Sequence, residues 1–246
     1  MNEQSYEDFI STVSHELRTP LTSIRGFSQT MLSSWDKLDD DSKKKFLKII
    51  EEQSNRLISL VENMLSVTKV QSSKENFIYK ETDIAPVINT VVSLVKNQYP
   101  NREFVIDVQP NISTILVDRD KFQQVMMNLI ENAAKYSFDD TEIKISVDFC
   151  DNSNAVSIKV ADIGVKIEEK DFDKIFTKFS RIDNPLTRKV QGSGLGLYIT
   201  KSIIDKMSGN ISVCSNSIDG NRAETVFEVI FPAYNVETQA REKCKQ

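Results

Sequence analysis

The 246-residue chain has one histidine, three cysteines, one tryptophan, six prolines and seven glycines. Each scarcity removes a class of chemistry. Because His15 is the sole imidazole, a multi-histidine metal centre or a histidine pair is excluded. Cys150, Cys214 and Cys244 are odd in number and scattered, with neither a disulfide framework nor zinc-ligand spacing; this usage fits a reducing, cytoplasmic setting. No apolar run approaches the roughly 20 residues of a membrane span, and no signal-peptide core opens the chain. The net charge of −5 argues against a nucleic-acid binder held by bulk electrostatics. No solenoid-type repeat is present. What remains is a charged, globular chain with room for one or two domains.

The first forty residues carry a helical pattern. Ile10, Val13, Leu17, Pro20, Ile24, Phe27 and Met31 recur in steps of three and four, the seam of a helix packed on other helices. His15 falls opposite that seam, displayed to solvent. Glu16 is its neighbour, and Thr19 lies one turn on, on the same face. Pro20 removes a backbone hydrogen bond just below, at a cost of about 3 kcal/mol in a helix interior. After an acidic connection over 36–41, a second helix capped by Asp41 or Ser42 is expected. Its seam is Phe46, Ile50, Gln53, Leu57, Leu60, Met64 and Val67. The two helices form an antiparallel hairpin. Two seams on one hairpin imply a homodimeric four-helix bundle.

Residues 73–80 lose the heptad and read as a linker. Beyond it the pattern is a mixed α/β sandwich over 81–234, with a polar tail at 235–246. Helices are expected over 84–95, 122–133 and 195–207. Strands are expected over 104–108, 114–117, 142–149, 156–161, 211–214 and 225–231. Asn128, Asn132 and Lys135 share one face of the middle helix, where asparagine is a poor helix former. Three of the seven glycines cluster at Gly192, Gly194 and Gly196, opening the last helix, where free N–H groups receive phosphate.

His15-Glu16-Leu17-Arg18-Thr19-Pro20-Leu21 resembles the phosphoacceptor motif of two-component sensor histidine kinases. Four later stretches, in order, resemble the nucleotide boxes of GHKL ATPases: Asn128 to Ser137, Asp162-Ile163-Gly164, Ile175 to Arg181, and Gly192 to Leu197. The resemblance covers about residues 5 to 232. It implies a dimerisation and phosphotransfer hairpin over 1–72, followed by an ATP-binding domain of GHKL type. His15 would accept the γ-phosphoryl group of ATP, with Glu16 as general base. Thr19 would place water when the response regulator is dephosphorylated. Asn132 would take Mg²⁺, Asn128 and Lys135 the phosphates, and Tyr136 would pack near the nucleoside. Asp162 would accept from the adenine amino group, with Gly164 allowing close backbone approach. Arg181 would reach the γ-phosphate, and Gly192, Gly194 and Gly196 would cradle phosphate. The partners implied are a second copy and the receiver domain of a response regulator. Only 14 residues precede His15, so a sensor or membrane segment upstream is either absent or lies outside this sequence.

Lys166 departs from the pattern, standing where a second glycine is usual, and Ile163 stands where Asn or Thr is usual. Strain at Lys166 would weaken nucleotide binding and favour a phosphatase-biased scaffold. Another GHKL ATPase would explain the boxes but leave the His15 stretch without a use.

Overall fold

The computed structural model describes residues 3–71, 76–180, 182 and 194–234, with side chains over 11–69 in the first stretch. The chain forms two compact units that divide between Gln71 and Ser72. Arg181 and Gly192 lie outside the described residues.

The first unit is a helical hairpin. Helix α1 spans Glu3–Ser34 and α2 spans Asp40–Gln71, joined through a 3₁₀ turn at Trp35–Lys37. The two pack against each other along the seams read from the sequence. Pro20, Met31, Leu60 and Val67 are buried there, and the rings of Phe27 and Phe46 lie 5.2 Å apart. The cap of α2 falls earlier than expected. Asp39, not Asp41 or Ser42, accepts from the Ser42 N–H at 2.7 Å. This leaves Asp40 and Asp41 in the first turn, where the helix dipole favours negative charge.

The hairpin keeps apolar surface outside the seam. Leu21 and Leu32 on α1, and Leu47, Ile58, Val61 and Leu65 on α2, are exposed. Leu60, by contrast, is only 3% exposed, because the seam containing it is already used inside the hairpin.

The second unit is an α/β sandwich. A five-stranded sheet runs in the order β2-β4-β5-β7-β6. Its strands are β2 Glu103–Val108, β4 Glu142–Cys150, β5 Ala155–Val165, β6 Asn210–Asp219 and β7 Arg222–Pro232. All neighbours are antiparallel except β2 and β4. A separate two-stranded ladder pairs β1 (Lys80–Thr82) with β3 (Ile115–Val117). Helices α3 (Ile84–Gln98), α4 (Arg119–Tyr136) and α5 (Gly196–Lys206) pack on β2, β5 and β6 respectively. Asp83 caps α3, and Asp118 caps α4 by accepting from the N–H groups of Asp120 and Lys121.

Inward residues of β5 recur with a period of two, although Ala155 and Ser157 on its other face are buried as well. Val156, Ile158 and Val160 of β5 stand opposite Phe231, Val229 and Phe227 of β7, and all six are buried. The same period continues to Asp162 and Gly164, opposite Thr225 and Ala223. Asp162 thus occupies an inward position for the same reason that Val160 does. Burial of a carboxyl follows from register alone.

Most of residues 76–80 belong to this second unit and do not form a free linker. Phe77 lies under the ammonium groups of Lys121 and Lys206, at 5.7 and 5.3 Å from the ring centre. The Ile78 N–H donates to Asp118 at 2.8 Å, and the Tyr79 hydroxyl donates to the Lys206 carbonyl at 2.8 Å.

Candidate active site

His15 is exposed on α1, on the side away from the seam. Glu16 beside it is half-buried and engaged: its Oε2 accepts from Arg56 of α2 at 3.2 Å. That pair was not read from the sequence, because Arg56 is distant along the chain and carries no motif. The Thr19 hydroxyl donates back to the His15 carbonyl at a long 3.3 Å. Pro20 has no N–H, so the Glu16 carbonyl receives no helical bond from it. Further along the same face, Thr22 and Gly26 are exposed, and a Cβ at Gly26 would meet nothing within 4 Å.

The nucleotide boxes come together in the second unit. Asn128, Asn132 and Lys135 are half-buried along α4, four and three residues apart. Asn128 reaches α5, its Nδ2 donating to the buried Thr200 hydroxyl at 2.9 Å. Its Oδ1 occupies the space that a Cβ on Gly196 would fill, so any larger residue at the start of α5 would displace the Asn128 amide. The Lys135 ammonium pairs with Glu131, one turn back, at 3.1 Å. A phosphate approaching this face therefore competes with a carboxylate. Glu131 was not singled out in the sequence, although an i,i+4 pair with Lys135 was legible there.

Asp162 lies beneath this layer, 5% exposed. Its carboxyl has no hydrogen bond or ion pair among the described residues. Desolvation pushes its carboxyl up to about 7, and the positive charge of Arg102 opposes that rise. Gly164 lets the backbone of α4 close over it. A Cβ there would sit 2.5 Å from the Tyr136 carbonyl oxygen and 2.9 Å from Asp162 Oδ2.

Two arginines hold the turn after α4. Arg102 donates to the carbonyls of Phe138 and Ser137 at 2.7 and 2.9 Å and pairs with Asp139 at 3.1 Å. Arg222 pairs with both oxygens of Asp140 and stacks on Phe138. These arginines lie outside every nucleotide box, so motif reading passed over them.

At the far rim, Gly194 takes φ +67, and a Cβ on it would meet the Phe179 backbone at 2.7 Å. Phe179 itself stands at φ +59. The last Phe of one box and the middle glycine of another are thus in backbone contact.

The lysine in the Asp162 box is not strained. Lys166 is absent from the residues with positive φ, and its ammonium turns outward to Glu168 at 3.5 Å. Here β5 simply stays paired with β7 through Val165 opposite Arg222. The scaffold reading therefore loses the feature that suggested it.

No cluster of three His, Cys, Asp or Glu side chains suited to a metal exists among the described residues. The ligand expected on α4 is one neutral amide, Asn132. Such a ligand suits a hard cation that brings most of its oxygens from phosphate and water.

Two family descriptions match the chain. "His Kinase A (phospho-acceptor) domain" matches residues 5–73, and "Histidine kinase-, DNA gyrase B-, and HSP90-like ATPase" matches residues 117–235. The sensor protein kinase WalK of Staphylococcus saprophyticus is 34% identical over 219 residues, 89% of this chain and 35% of that protein. The sensor histidine kinase WalK of Bacillus subtilis is 31% identical over 229 residues, 92% of this chain and 36% of that protein. The chain thus spans about a third of the length of these curated relatives. Among solved structures, histidine kinase ThkA in complex with the response regulator protein TrrA aligns with TM-score 0.72 at 26% identity, over 92% of this chain and 61% of that one. Acinetobacter baumannii histidine kinase AdeS aligns with TM-score 0.66 at 26% identity, over 90% of this chain and 98% of that one.

Proposed function

The chain belongs to the two-component sensor histidine kinases, and we propose that it works as the autokinase core of one. In this reading residues 1–72 dimerise and carry the phosphoacceptor, 81–234 bind ATP with Mg²⁺, 73–80 connect them and 235–246 are a tail. The setting is the cytoplasm. The observation that carries the reading is the pairing of two features. One is a lone, solvent-displayed imidazole followed by a carboxylate and, one turn on, by a proline that removes a helical hydrogen bond. The other is a buried, unpaired carboxyl under a helix face of Asn128, Asn132 and Lys135.

Asp162 accepts from the amino group of the base, and Gly164 lets the base lie against the backbone. Asn132 provides an amide oxygen for Mg²⁺, while Asn128, Lys135, Arg181 and the N-terminus of α5 with Gly192, Gly194 and Gly196 receive the phosphates. Bound ATP supplies the phosphoryl group and a leaving diphosphate. One ring nitrogen of His15 takes that group, while Glu16 draws the proton from the ring. Arg56, paired with Glu16 Oε2, stands beside this transfer. The work of the protein is positioning and charge neutralisation. The phosphoryl group then passes to an aspartate of a receiver domain, and Thr19 places the water that later hydrolyses that aspartyl phosphate to aspartate and inorganic phosphate.

The deciding experiment is incubation with γ-labelled ATP and Mg²⁺. We expect acid-labile label on the wild type and none on His15→Gln, with nucleotide binding unchanged. Acid-labile label that survives His15→Gln would overturn the assignment. Receiver docking has its own test. No packing contact requires glycine at position 26, where it costs about 1 kcal/mol relative to alanine. Gly26→Arg should slow transfer to a receiver domain and spare autophosphorylation; equal loss of both would indicate a distorted helix instead.

A further inference from the structure

Ser137 holds the one buried side-chain oxygen or nitrogen that lacks a hydrogen-bond partner among the described residues. The residue is 6% exposed. Its backbone is satisfied, the N–H by the Ala133 carbonyl and the carbonyl by Arg102. The hydroxyl alone is left over. An unmet buried hydroxyl costs about 1–3 kcal/mol, and native folds keep such groups for a reason.

Its placement suggests what the reason is. Ser137 forms an antiparallel bridge with Gly164. The Phe138 N–H donates to the Ile163 carbonyl at 2.9 Å, the bond flanking that bridge. Ser137 and Gly164 are therefore a non-hydrogen-bonded pair, the closer kind, whose side chains share one sheet face. Two residues back along β5, on the same face, is Asp162, with Oδ2 lying over Gly164. No side chain stands between, because position 164 has no Cβ. The hydroxyl and the carboxyl thus flank one glycine, both buried, neither paired.

We infer that Ser137 is a base-recognition residue, whose hydroxyl gains its partner when an adenine occupies the cleft beside Asp162. This rests on the nucleotide reading above. A carboxylate accepts from the 6-amino group. A hydroxyl can donate, directly or through one water, to the adjacent ring nitrogen, which in adenine is an acceptor. In hypoxanthine that pattern is reversed: the 6-position accepts and the adjacent nitrogen carries a proton. Ser137 and Asp162 together read the adenine edge, and the two arginines that clamp the turn after α4 hold Ser137 in place.

The test is calorimetric titration of the full chain, wild type and Ser137→Ala, with ADP and with IDP. A neutral hydrogen bond predicts about a fivefold loss of ADP affinity in the variant. IDP affinity should fall less, because its 6-oxygen meets the Asp162 carboxylate and holds its edge off the hydroxyl, so the ADP-to-IDP preference narrows. The empty variant should melt no lower than the wild type, since it loses an unmet polar group. Ser137→Cys, similar in size and a weaker donor, should fall between. ADP and IDP weakened equally, or an unchanged preference in both variants, would overturn the inference and leave the nucleotide site standing. A wild type that binds neither nucleotide would remove the nucleotide reading and this inference with it.

Discussion

Asp162 ties a single side chain to a pH profile. Its carboxyl titrates near 7 in the folded chain, against an ordinary value of 3.8, because burial disfavours the charged form more than Arg102 restores it. The sign follows from linkage. A raised folded pKa gives stability that is full below about pH 4 and is lost as pH rises through about 7. The empty wild type should therefore lose thermal stability between pH 5 and pH 8 relative to Asp162→Asn, with melting curves as the measurement. Nucleotide binding should run the other way, because the base amino group needs an ionised acceptor. Affinity for an ATP analogue should fall about tenfold per unit below pH 7. Parallel profiles for wild type and Asp162→Asn would refute both expectations. Arg56 offers a second test at this scale. Releasing Glu16 from its 3.2 Å partner by Arg56→Gln should raise the rate of His15 phosphorylation up to about fivefold, since a half-exposed ion pair contributes up to about 1 kcal/mol. A slower variant would show instead that Arg56 helps to place Glu16. The residues of the boxes were legible because each is a chemical type at a fixed spacing. Arg56, Arg102 and Arg222 were not, because they belong to no motif and their partners are set by the tertiary fold.

At the scale of elements, the hairpin separates two apolar surfaces that the sequence presents as one. Heptad counting identified the seam through Leu57 and Leu60, and it closes α1 on α2. The exposed set on α2, Ile58, Val61 and Leu65, sits one helical position away and was not singled out, since periodicity alone does not say which partner each stripe meets. The split gives different outcomes for neighbouring substitutions. Leu60→Ala should lower the stability of the hairpin by about 2–5 kcal/mol, visible as a lower melting midpoint. Val61→Asp and Leu65→Asp should instead yield folded monomers in light scattering, by placing a charge in the interface of a dimer. Retention of the dimer by both charged variants would exclude this stripe as the interface. Strand β5 shows a different limit of sequence reading. Alternation was visible to Ala161, but the strand runs on to Val165. Gly164, expected to allow close backbone approach, is a paired position of the strand kept bare for the Tyr136 carbonyl. Gly164→Ala should bind nucleotide more weakly and melt lower, because backbone rather than a flexible side chain blocks the added methyl group.

For the whole molecule, the two-part architecture was legible from the loss of the heptad and the arrival of strand alternation. Its sheet order was not, because β2 lies beside β4 in parallel, a pairing no hairpin signal announces. That parallel pair has a consequence for how the protein acquires its activity in time. Antiparallel neighbours such as β4 and β5 can zip from a tight turn, whereas a parallel pair needs a crossover, and here the crossover contains α4. The helix bearing Asn128, Asn132 and Lys135 therefore lies inside a crossover, residues 109–141, that must close before β2 can pair with β4. Loop closure of this kind is slow relative to hairpin formation. In a refolding experiment, strand signal should precede competence to bind ADP, and the two should merge only in the final kinetic phase. A newly made chain would pass through a stage with much of its sheet and no nucleotide site, unable to spend ATP before its fold is complete.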